Sequence, residues 1–415
     1  MINRQLFAWL NKVKDTPQIV HLYGMRQTGK TTLMNEFRRN IPGHLHYPLQ
    51  NYPILNRYQG DVNRWVFEIE EAISRINDAG MLHVFVDEVQ KIPDLFQAIQ
   101  GLYDTYKGRL KFWIWGSSAR PLKKKRAETL AGRFISRTLF PLSQGEILCR
   151  KSIIPEIFSL NGDPSRIDFT YPPSYHEFLR TCFRQSMLPE AFTCTDTSMV
   201  DDLLEAYQAS YIENEIRREN LAADIGVFSR FMRIAASENT TVVNYSSIAK
   251  DLGVSSNTIK TYYDILHDTF VILPVHASSS RLRVQVCKSP KMYFTDTGLA
   301  RFIAGERGLP ADESRTFGLL FEGFVISEFF KQCEYCHVPW ELSFVRTKSG
   351  KEADLIVSDG ERKCAIEIKS SPRVGRPECA HLEYLMANDP TITCGAVVSL
   401  QGARIRITDR IINIP

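Results

Sequence analysis

The most specific chemical signal in the chain is a glycine-rich string with the spacing G-x-x-x-x-G-K-T, which begins at Gly24 and ends at Thr31. Glycines let the backbone turn tightly, so that successive N–H groups and the following helix start point at a phosphate. Lys30 adds a positive charge that reaches the β- and γ-phosphates, and the Thr31 hydroxyl can ligate Mg²⁺. The residues predicted to surround the phosphates are Gly24, Met25, Arg26, Gln27, Thr28, Gly29, Lys30, Thr31 and Thr32. The string predicts a triphosphate site; the alternative is an ordinary glycine turn between a strand and a helix.

Two carboxylates, Asp87 and Glu88, follow an apolar run at residues 81–86. We expect Asp87 to hold Mg²⁺ through water and Glu88 to act as the general base that orients the attacking water. Ser117 follows another apolar run, at residues 110–115, and is predicted to sense the γ-phosphate. The alternative for Asp87 and Glu88 is an acidic strand end that caps the next helix. Because the same chain also contains a phosphate loop, ATP hydrolysis is favoured.

An arginine is expected to neutralise the charge that develops on the transferred phosphoryl group. Arg133 is the main candidate and Arg120 the second, while the basic run at residues 123–126 is typical of a solvated loop. The arginine can act within its own subunit or on a neighbouring copy. A homo-oligomer is therefore part of the prediction.

The last third of the chain contains acids with a different spacing. Two apolar strands are predicted at residues 353–357 and 364–369, joined by a hairpin turn. Side chains alternate along a strand, so Glu367 and Lys369 share one face, and Asp354 can reach that face from the adjacent strand.

With Glu322 on a predicted helix at residues 319–330, these residues resemble the PD-(D/E)XK nuclease core. The resemblance implies that Asp354 and Glu367 bind a second Mg²⁺ or Mn²⁺ and that Lys369 helps to activate water. The alternative is cross-strand charge pairing on a solvated strand. The basic residues expected to make this face suitable for phosphate contacts are Arg346, Lys348, Lys351, Lys369 and Arg373.

The elements that must position these residues predict an α/β protein: a P-loop NTPase core, a helical and winged-helix middle region, and a C-terminal α/β restriction-endonuclease-like domain. At a prior of about 150 residues per domain, 415 residues suggest two to four domains. The predicted domains are a P-loop ATPase domain at 1–145, a helical lid or connector at 146–285, and a nuclease-like domain at 286–415.

A winged-helix candidate occupies about residues 225–285. Residues 244–260 indicate a helix, a glycine turn and a second helix that would expose Asn257, Lys260 and Thr261. Strands at residues 270–276 and 281–286 would form the wing. Such a module can enter a DNA major groove, but it can equally serve only for packing.

The chain resembles a prokaryotic AAA-type ATPase family that is related to the archaeal ATPases and has a C-terminal domain of unknown function. The motifs that carry the resemblance are the phosphate loop, DEVQKIP at 87–93, GSS at 116–118, LAGR at 130–133, FPLS at 140–143, MYFTDTGL at 292–299 and LFEG at 320–323. The resemblance covers nearly the whole chain. It implies an ATP-binding α/β core.

Composition excludes several classes of protein. With 44% hydrophobic and 24% charged residues, the chain is neither collagen-like, disordered nor a disulfide scaffold. A net charge of +4 excludes a uniformly basic coat for nucleic acid. The nine scattered cysteines are typical of reduced thiols. A polar N-terminus and the lack of a long apolar run predict a cytoplasmic protein without a membrane partner.

Two functions remain open at this stage. In the first, the nucleotide state controls a metal-dependent nuclease domain that acts on DNA or RNA. In the second, the C-terminal domain does not cleave, and the chain is an ATP-gated switch or scaffold that binds a protein or nucleic-acid partner.

Overall fold

A computed structural model describes residues 2–76, 80–117, 132–150, 154, 175–217, 222, 224–278, 289–312, 314–347, 350–402 and 405–414. The chain divides into two compact units. The first contains Met1–Leu142 and Asp268–Phe270, and the second contains Ser143–His267 and Val271–Pro415. The domain boundaries near residues 145 and 285 stay predictions. No described helix is both long and apolar enough to cross a membrane.

The first unit is built on a parallel five-stranded sheet. In spatial order its strands are Leu45–Pro48, Leu82–Asp87, Leu110–Trp115, Ile19–Tyr23 and Phe134–Thr138. The described helices of this unit are Leu6–Lys12, Lys30–Arg39, Tyr52–Gln59, Val62–Ser74 and Leu95–Thr105, with a 3₁₀ turn at Val89–Lys91. The three central strands are buried along their whole length, which explains their continuous apolar runs. This α/β sheet resembles the core of a P-loop ATPase, as the sequence predicts.

Several helices lie among the described residues after residue 142. They are Gln144–Ile147, Tyr175–Gln185, Pro189–Thr193, Met199–Tyr211, the π-helix Ile212–Arg217, Ile225–Ser237, Tyr245–Leu252, Ser256–Asp268, Thr297–Ile303, Arg315–Tyr335 and Arg376–Asn388. The predicted helix–glycine turn–helix corresponds to Tyr245–Leu252 and Ser256–Asp268, with Gly253 between them at a φ of +69°. This left-handed conformation ends the first helix and favours glycine.

The strand predicted at residues 270–276 is Ile272–Ala277, and its antiparallel partner is Lys291–Phe294. The second wing strand, expected at residues 281–286, lies outside the described residues. Asn257, Lys260 and Thr261 are exposed, as predicted. Contact of this surface with DNA stays a prediction.

A mixed eight-stranded sheet forms the core of the second unit. In spatial order its strands are Ile405–Arg406, Ile411–Ile414, Ile392–Ser399, Lys363–Lys369, Glu352–Ser358, Glu341–Arg346, Ile272–Ala277 and Lys291–Phe294. The predicted hairpin is present, because Glu352–Ser358 and Lys363–Lys369 pair antiparallel. Leu382 and Leu385, from the helix Arg376–Asn388, pack against Ile356 and Ala365 of this sheet.

Candidate nucleotide site and acid cluster

The glycine-rich loop connects the central strand Ile19–Tyr23 to the helix Lys30–Arg39. Both of its glycines are required by geometry. At Gly24, with φ +150°, an added Cβ would lie 2.2 Å from the Leu139 carbonyl oxygen. At Gly29, φ is +89°, a left-handed conformation that starts the helix. The loop backbone therefore turns at the carboxyl edge of the parallel sheet, where ligands of such sheets bind.

Lys30 and Thr31 are the first two residues of the helix that follows this loop. The Lys30 ammonium donates to the carbonyl oxygens of Gly24, at 2.7 Å, and Met25, at 2.8 Å. The Thr31 hydroxyl donates to Asp87 Oδ2 at 3.2 Å and accepts from Trp115 Nε1 at 3.3 Å. The predicted phosphate-loop lysine thus lies against the loop backbone, and the two predicted Mg²⁺-site residues, Thr31 and Asp87, are hydrogen-bonded to each other.

A residue that the sequence analysis missed supports the loop from outside. Arg4 is 9% exposed, and its guanidinium donates to the carbonyl oxygen of Thr28 and, at 2.7 Å, to that of Phe140. The Thr28 hydroxyl in turn donates to the Met25 carbonyl oxygen at 2.9 Å. Arg4 precedes the loop by some twenty residues, and no local spacing pattern links it to the glycines.

Asp87 ends the strand Leu82–Asp87 and lies 2% exposed. Burial and then the neighbouring charge of Glu88 raise the pKa of Asp87 to about 7. Its Oδ2 accepts from Thr31 and from Gln50 Nε2, at 3.3 Å, whereas its buried Oδ1 has no hydrogen-bond partner among the described residues. A buried carboxylate oxygen with a spare lone pair, next to a threonine hydroxyl, fits the hard oxygen ligands that Mg²⁺ prefers.

Glu88 is held in a small polar triad with Gln90 and Ser117. Gln90 Nε2 donates to Glu88 Oε2 and, at 3.4 Å, to Ser117 Oγ, and Ser117 Oγ also donates to Glu88 Oε2 at 3.4 Å. Gly116 makes room for this contact, because a Cβ there would lie 2.1 Å from Gln90 Oε1. The backbone of Glu88 is left-handed, with a φ of +52°. The structure therefore brings Ser117 to the predicted base and adds Gln90, which the sequence analysis did not single out.

Gln90 is expected to matter for turnover because its amide orients the Glu88 carboxylate. We expect Gln90→Leu to lower ATP turnover about tenfold, the effect of about 1.4 kcal/mol of lost transition-state stabilisation, while nucleotide affinity changes little. Gly116→Ala should act in the same direction, because its Cβ would displace the Gln90 amide. Steady-state turnover and calorimetric nucleotide binding measure the two quantities.

Gln97→Leu, on the exposed side of the helix Leu95–Thr105, is the matched control for Gln90→Leu. If both Gln90→Leu and Gly116→Ala retain the turnover of this control, Gln90 does not position the base.

Arg133 lies at the amino ends of the parallel strands, whereas the glycine-rich loop lies at their carboxyl ends. It precedes the strand Phe134–Thr138, which runs parallel to Ile19–Tyr23, and its carbonyl oxygen accepts from the Ile19 N–H at 2.9 Å. Its guanidinium binds both oxygens of Asp104, at 2.8 and 3.0 Å. The structure therefore does not bring Arg133 to the glycine-rich loop of its own subunit, and its action on a nucleotide, in its own subunit or in a neighbouring copy, stays a prediction. Arg120 and residues 123–126 lie outside the described residues.

The second unit gathers the predicted acids around a lysine that the sequence analysis missed. Lys291, in the edge strand Lys291–Phe294, has its Nζ 3.2 Å from Glu322 Oε1 and 3.7 Å from Asp354 Oδ1. The Tyr293 hydroxyl donates to the same Glu322 oxygen at 2.8 Å. Glu322 lies on the helix Arg315–Tyr335, which includes the predicted helix at 319–330. We call Lys291, Tyr293, Glu322, Asp354, Glu367 and Lys369 the acid cluster.

The two acids predicted to bind metal already have other partners. Asp354 Oδ2 accepts from the Ile368 N–H at 2.8 Å, and Glu367 Oε1 is 2.6 Å from Lys369 Nζ. Burial and then the charge of Asp354 raise the pKa values of Glu322 and Glu367. The part of the chain that the structure describes contains no group of three or more His, Cys, Asp or Glu side chains suited to a metal ion. The residues present do not fit the second Mg²⁺ or Mn²⁺ that the resemblance implies.

The predicted cationic surface is partly neutralised by acids. Arg346 Nε is 3.5 Å from Glu352 Oε2, and Lys369 pairs with Glu367. Lys348 lies outside the described residues. Among the described residues, neither Lys351 nor Arg373 forms an ion pair with an acid. The face that the sequence predicts to bind phosphates therefore has less net positive charge than a count of its basic residues implies.

Three family models match successive parts of the chain. Residues 16–148 match a model described as an AAA domain, residues 177–309 match a domain of unknown function (DUF8612), and residues 317–415 match another domain of unknown function (DUF4143). The first match includes the glycine-rich loop and Asp87–Glu88. It supports an AAA-type ATPase domain in this part of the chain.

Related proteins extend over most of the chain. An uncharacterized protein of Mycobacterium tuberculosis is 25% identical over 376 residues, which cover 90% of this chain and 75% of that protein. An uncharacterized protein of Methanocaldococcus jannaschii is 20% identical over 426 residues, which cover 97% and 84%. Among solved structures, the Walker-type ATPase PABY2304 of Pyrococcus abyssi aligns with 73% of this chain and 96% of its own, at 13% identity and a TM-score of 0.42. The AAA-domain match, together with the loop geometry, indicates nucleotide binding and hydrolysis.

Proposed function

We propose that the chain binds ATP and hydrolyses it with Mg²⁺. The observation that carries this proposal is the meeting of Lys30, Thr31, Asp87 and Glu88 at the carboxyl edge of one parallel sheet. Lys30 and Thr31 come from the loop and the helix after it, and the two acids follow a neighbouring strand. The loop is sufficient to bind the phosphates of ATP. The nearby pair of acids adds the groups that hydrolysis of ATP requires.

Each residue has a distinct task in this proposal. The backbone N–H groups of residues 24–32 and the Lys30 ammonium bind the β- and γ-phosphates. Thr31 and Asp87 would hold Mg²⁺, which supplies positive charge against the phosphate oxygens. Glu88 accepts a proton from the attacking water, Gln90 orients its carboxylate, and Ser117 contacts the γ-phosphate.

The direct test is ATP turnover by the purified chain with Mg²⁺ and after its removal by EDTA. We expect phosphate release with Mg²⁺ and its loss without Mg²⁺, since the metal neutralises charge on the phosphates. A chain that binds ATP yet releases no phosphate at any metal concentration would be a nucleotide-binding switch. A concentration series adds a test of the neighbouring-copy role of Arg133, because turnover per chain should rise as copies associate.

The second unit supports a second candidate: a non-cleaving, ATP-gated switch or scaffold. Two lysines, Lys291 and Lys369, neutralise its buried acids, and charge pairing of this kind is what a non-catalytic cluster needs. Its partner would be a protein or a nucleic acid, and the exposed Asn257 and Lys260 of the helix–turn–helix are one surface for such contact.

Nuclease activity remains a prediction with its own test. Plasmid and single-stranded DNA or RNA are incubated with the chain in Mg²⁺ or Mn²⁺, and wild type is compared with Asp354→Ala and Asp354→Asn. Asp354→Asn is the better matched change, since an amide oxygen can still accept from the Ile368 N–H. If the resemblance extends to activity, both variants should lose cleavage by about 100-fold or more. Equal behaviour of wild type and variants at every metal excludes cleavage at the acid cluster.

A further inference from the structure

Lys291 lies beside two carboxylates, the buried Asp354 and the mostly buried Glu322. It is 5% exposed, Asp354 is 4% exposed, and the Glu322 side chain is 14% exposed. Its ammonium is within 4 Å of an oxygen of each acid. Buried carboxylates are costly unless a cation or hydrogen bonds compensate them. Lys291 supplies that compensation from a strand that is remote in sequence from both acids.

The position of Lys291 is fixed by its strand. Lys291 pairs with Val275 in the antiparallel ladder and forms an isolated bridge with Val242, so its backbone is held on two sides. Its ammonium also lies 5.6 Å from the centre of the Phe344 ring. Although burial acts to lower it, the pKa of Lys291 is raised by Glu322 and Asp354. The side chain is therefore a charged, internal member of the cluster.

The remaining acid has a lysine of its own but keeps one unused oxygen. Lys369 contacts Glu367 Oε1, while Glu367 Oε2 is buried without a hydrogen-bond partner among the described residues. Glu322, Asp354 and Glu367 thus face two ammonium groups. In a nuclease-like core, these three acids would bind a divalent cation. In this chain, lysine side chains supply the positive charge beside them.

We propose that Lys291 takes the place of a divalent cation in the acid cluster, so that the intact site excludes Mg²⁺ and Mn²⁺. Removal of its charge leaves two close buried carboxylates and the spare oxygen of Glu367, which are hard oxygen ligands. The cluster then becomes a site for a divalent cation. This inference deepens the non-cleaving candidate and rests on it.

The test measures Mn²⁺ binding by the full chain without nucleotide, from the loss of the free Mn²⁺ signal in electron paramagnetic resonance. We expect Lys291→Met to bind Mn²⁺ at least about tenfold more tightly than wild type. Lys291→Met with Asp354→Asn should lose that gain, because it lacks a required ligand. Lys291→Arg, which keeps the positive charge, should behave as wild type.

Wild-type Mn²⁺ binding that Asp354→Asn abolishes would overturn the inference, as would a folded Lys291→Met chain that gains no binding. Since the unpaired acids will destabilise Lys291→Met, its thermal unfolding is followed with and without Mn²⁺, and a rise in Tm with Mn²⁺ is expected. Lys291→Met with Glu322→Gln also removes one acid and one cation together and preserves the net charge, and it should bind Mn²⁺ less tightly than Lys291→Met alone, because one carboxylate ligand is lost. None of these outcomes depends on ATP turnover or cleavage, so failure here is distinguishable from failure of either proposed function.

Discussion

Replacing Glu88 by glutamine is expected to reduce ATP turnover by about 10²- to 10⁴-fold, the usual contribution of a positioned general base. Glutamine has nearly the same shape, and its carbonyl oxygen can still accept from Gln90 and Ser117. It cannot take a proton from the attacking water. Because Lys30, Thr31 and Asp87 are unchanged, nucleotide affinity should stay within about threefold of wild type.

Single-turnover hydrolysis and calorimetric ATP binding separate these two effects. Glu71→Gln is a suitable control, because its carboxylate is on the surface, with a side chain 48% exposed, and its partner is Arg75. Turnover of Glu88→Gln equal to that of Glu71→Gln would mean that the base is misassigned. A parallel loss of binding and turnover would instead indicate that the exchange disturbs the loop.

Replacing Lys30 by alanine is expected to weaken ATP binding about 100-fold, because charge-assisted contacts to phosphate are among the strongest polar interactions. Lys30 is 6% exposed and lies against the carbonyl oxygens of Gly24 and Met25, so its charge is close to the centre of the loop. Turnover at subsaturating ATP should fall at least as much as affinity. Calorimetry with ATP and with a non-hydrolysable analogue measures the binding loss.

Lys12→Ala, on an exposed position of the helix Leu6–Lys12, controls for the loss of one positive charge. Circular dichroism and thermal unfolding report whether Lys30→Ala keeps its fold after losing the two carbonyl contacts. If folded Lys30→Ala binds ATP as tightly as Lys12→Ala does, the loop is a simple turn and the proposed function of the first unit fails.

The elements around the nucleotide site are predictable because their signals are local. The strands Ile19–Tyr23 and Leu82–Asp87 are continuous apolar runs, and the glycine spacing requires a turn between a strand and a helix. The hairpin of Glu352–Ser358 and Lys363–Lys369 is likewise visible from alternation and a turn signal. The antiparallel partner of Ile272–Ala277 that the structure describes is Lys291–Phe294, whereas the wing strand expected at residues 281–286 lies outside the described residues and stays a prediction.

Arg133 illustrates a prediction that depends on strand direction. A residue that precedes a strand and a residue that follows a parallel neighbour lie at opposite edges of the sheet. The strand Phe134–Thr138 is parallel to Ile19–Tyr23, which separates Arg133 from the loop that begins at Gly24. The composition of the segment around Arg133 contains no information about that direction.

The amino-acid sequence by itself determined the phosphate loop and the consecutive acids Asp87 and Glu88. In each case the residues are only a few positions apart, so a single turn or a single strand end positions them together. Only the tertiary structure decided which charges share a buried site. Lys291 is 31 residues from Glu322 and lies between it and Asp354 because an edge strand and a helix pack together. Tertiary packing, rather than the spacing of residues along the sequence, therefore places the Lys291 ammonium beside these acids.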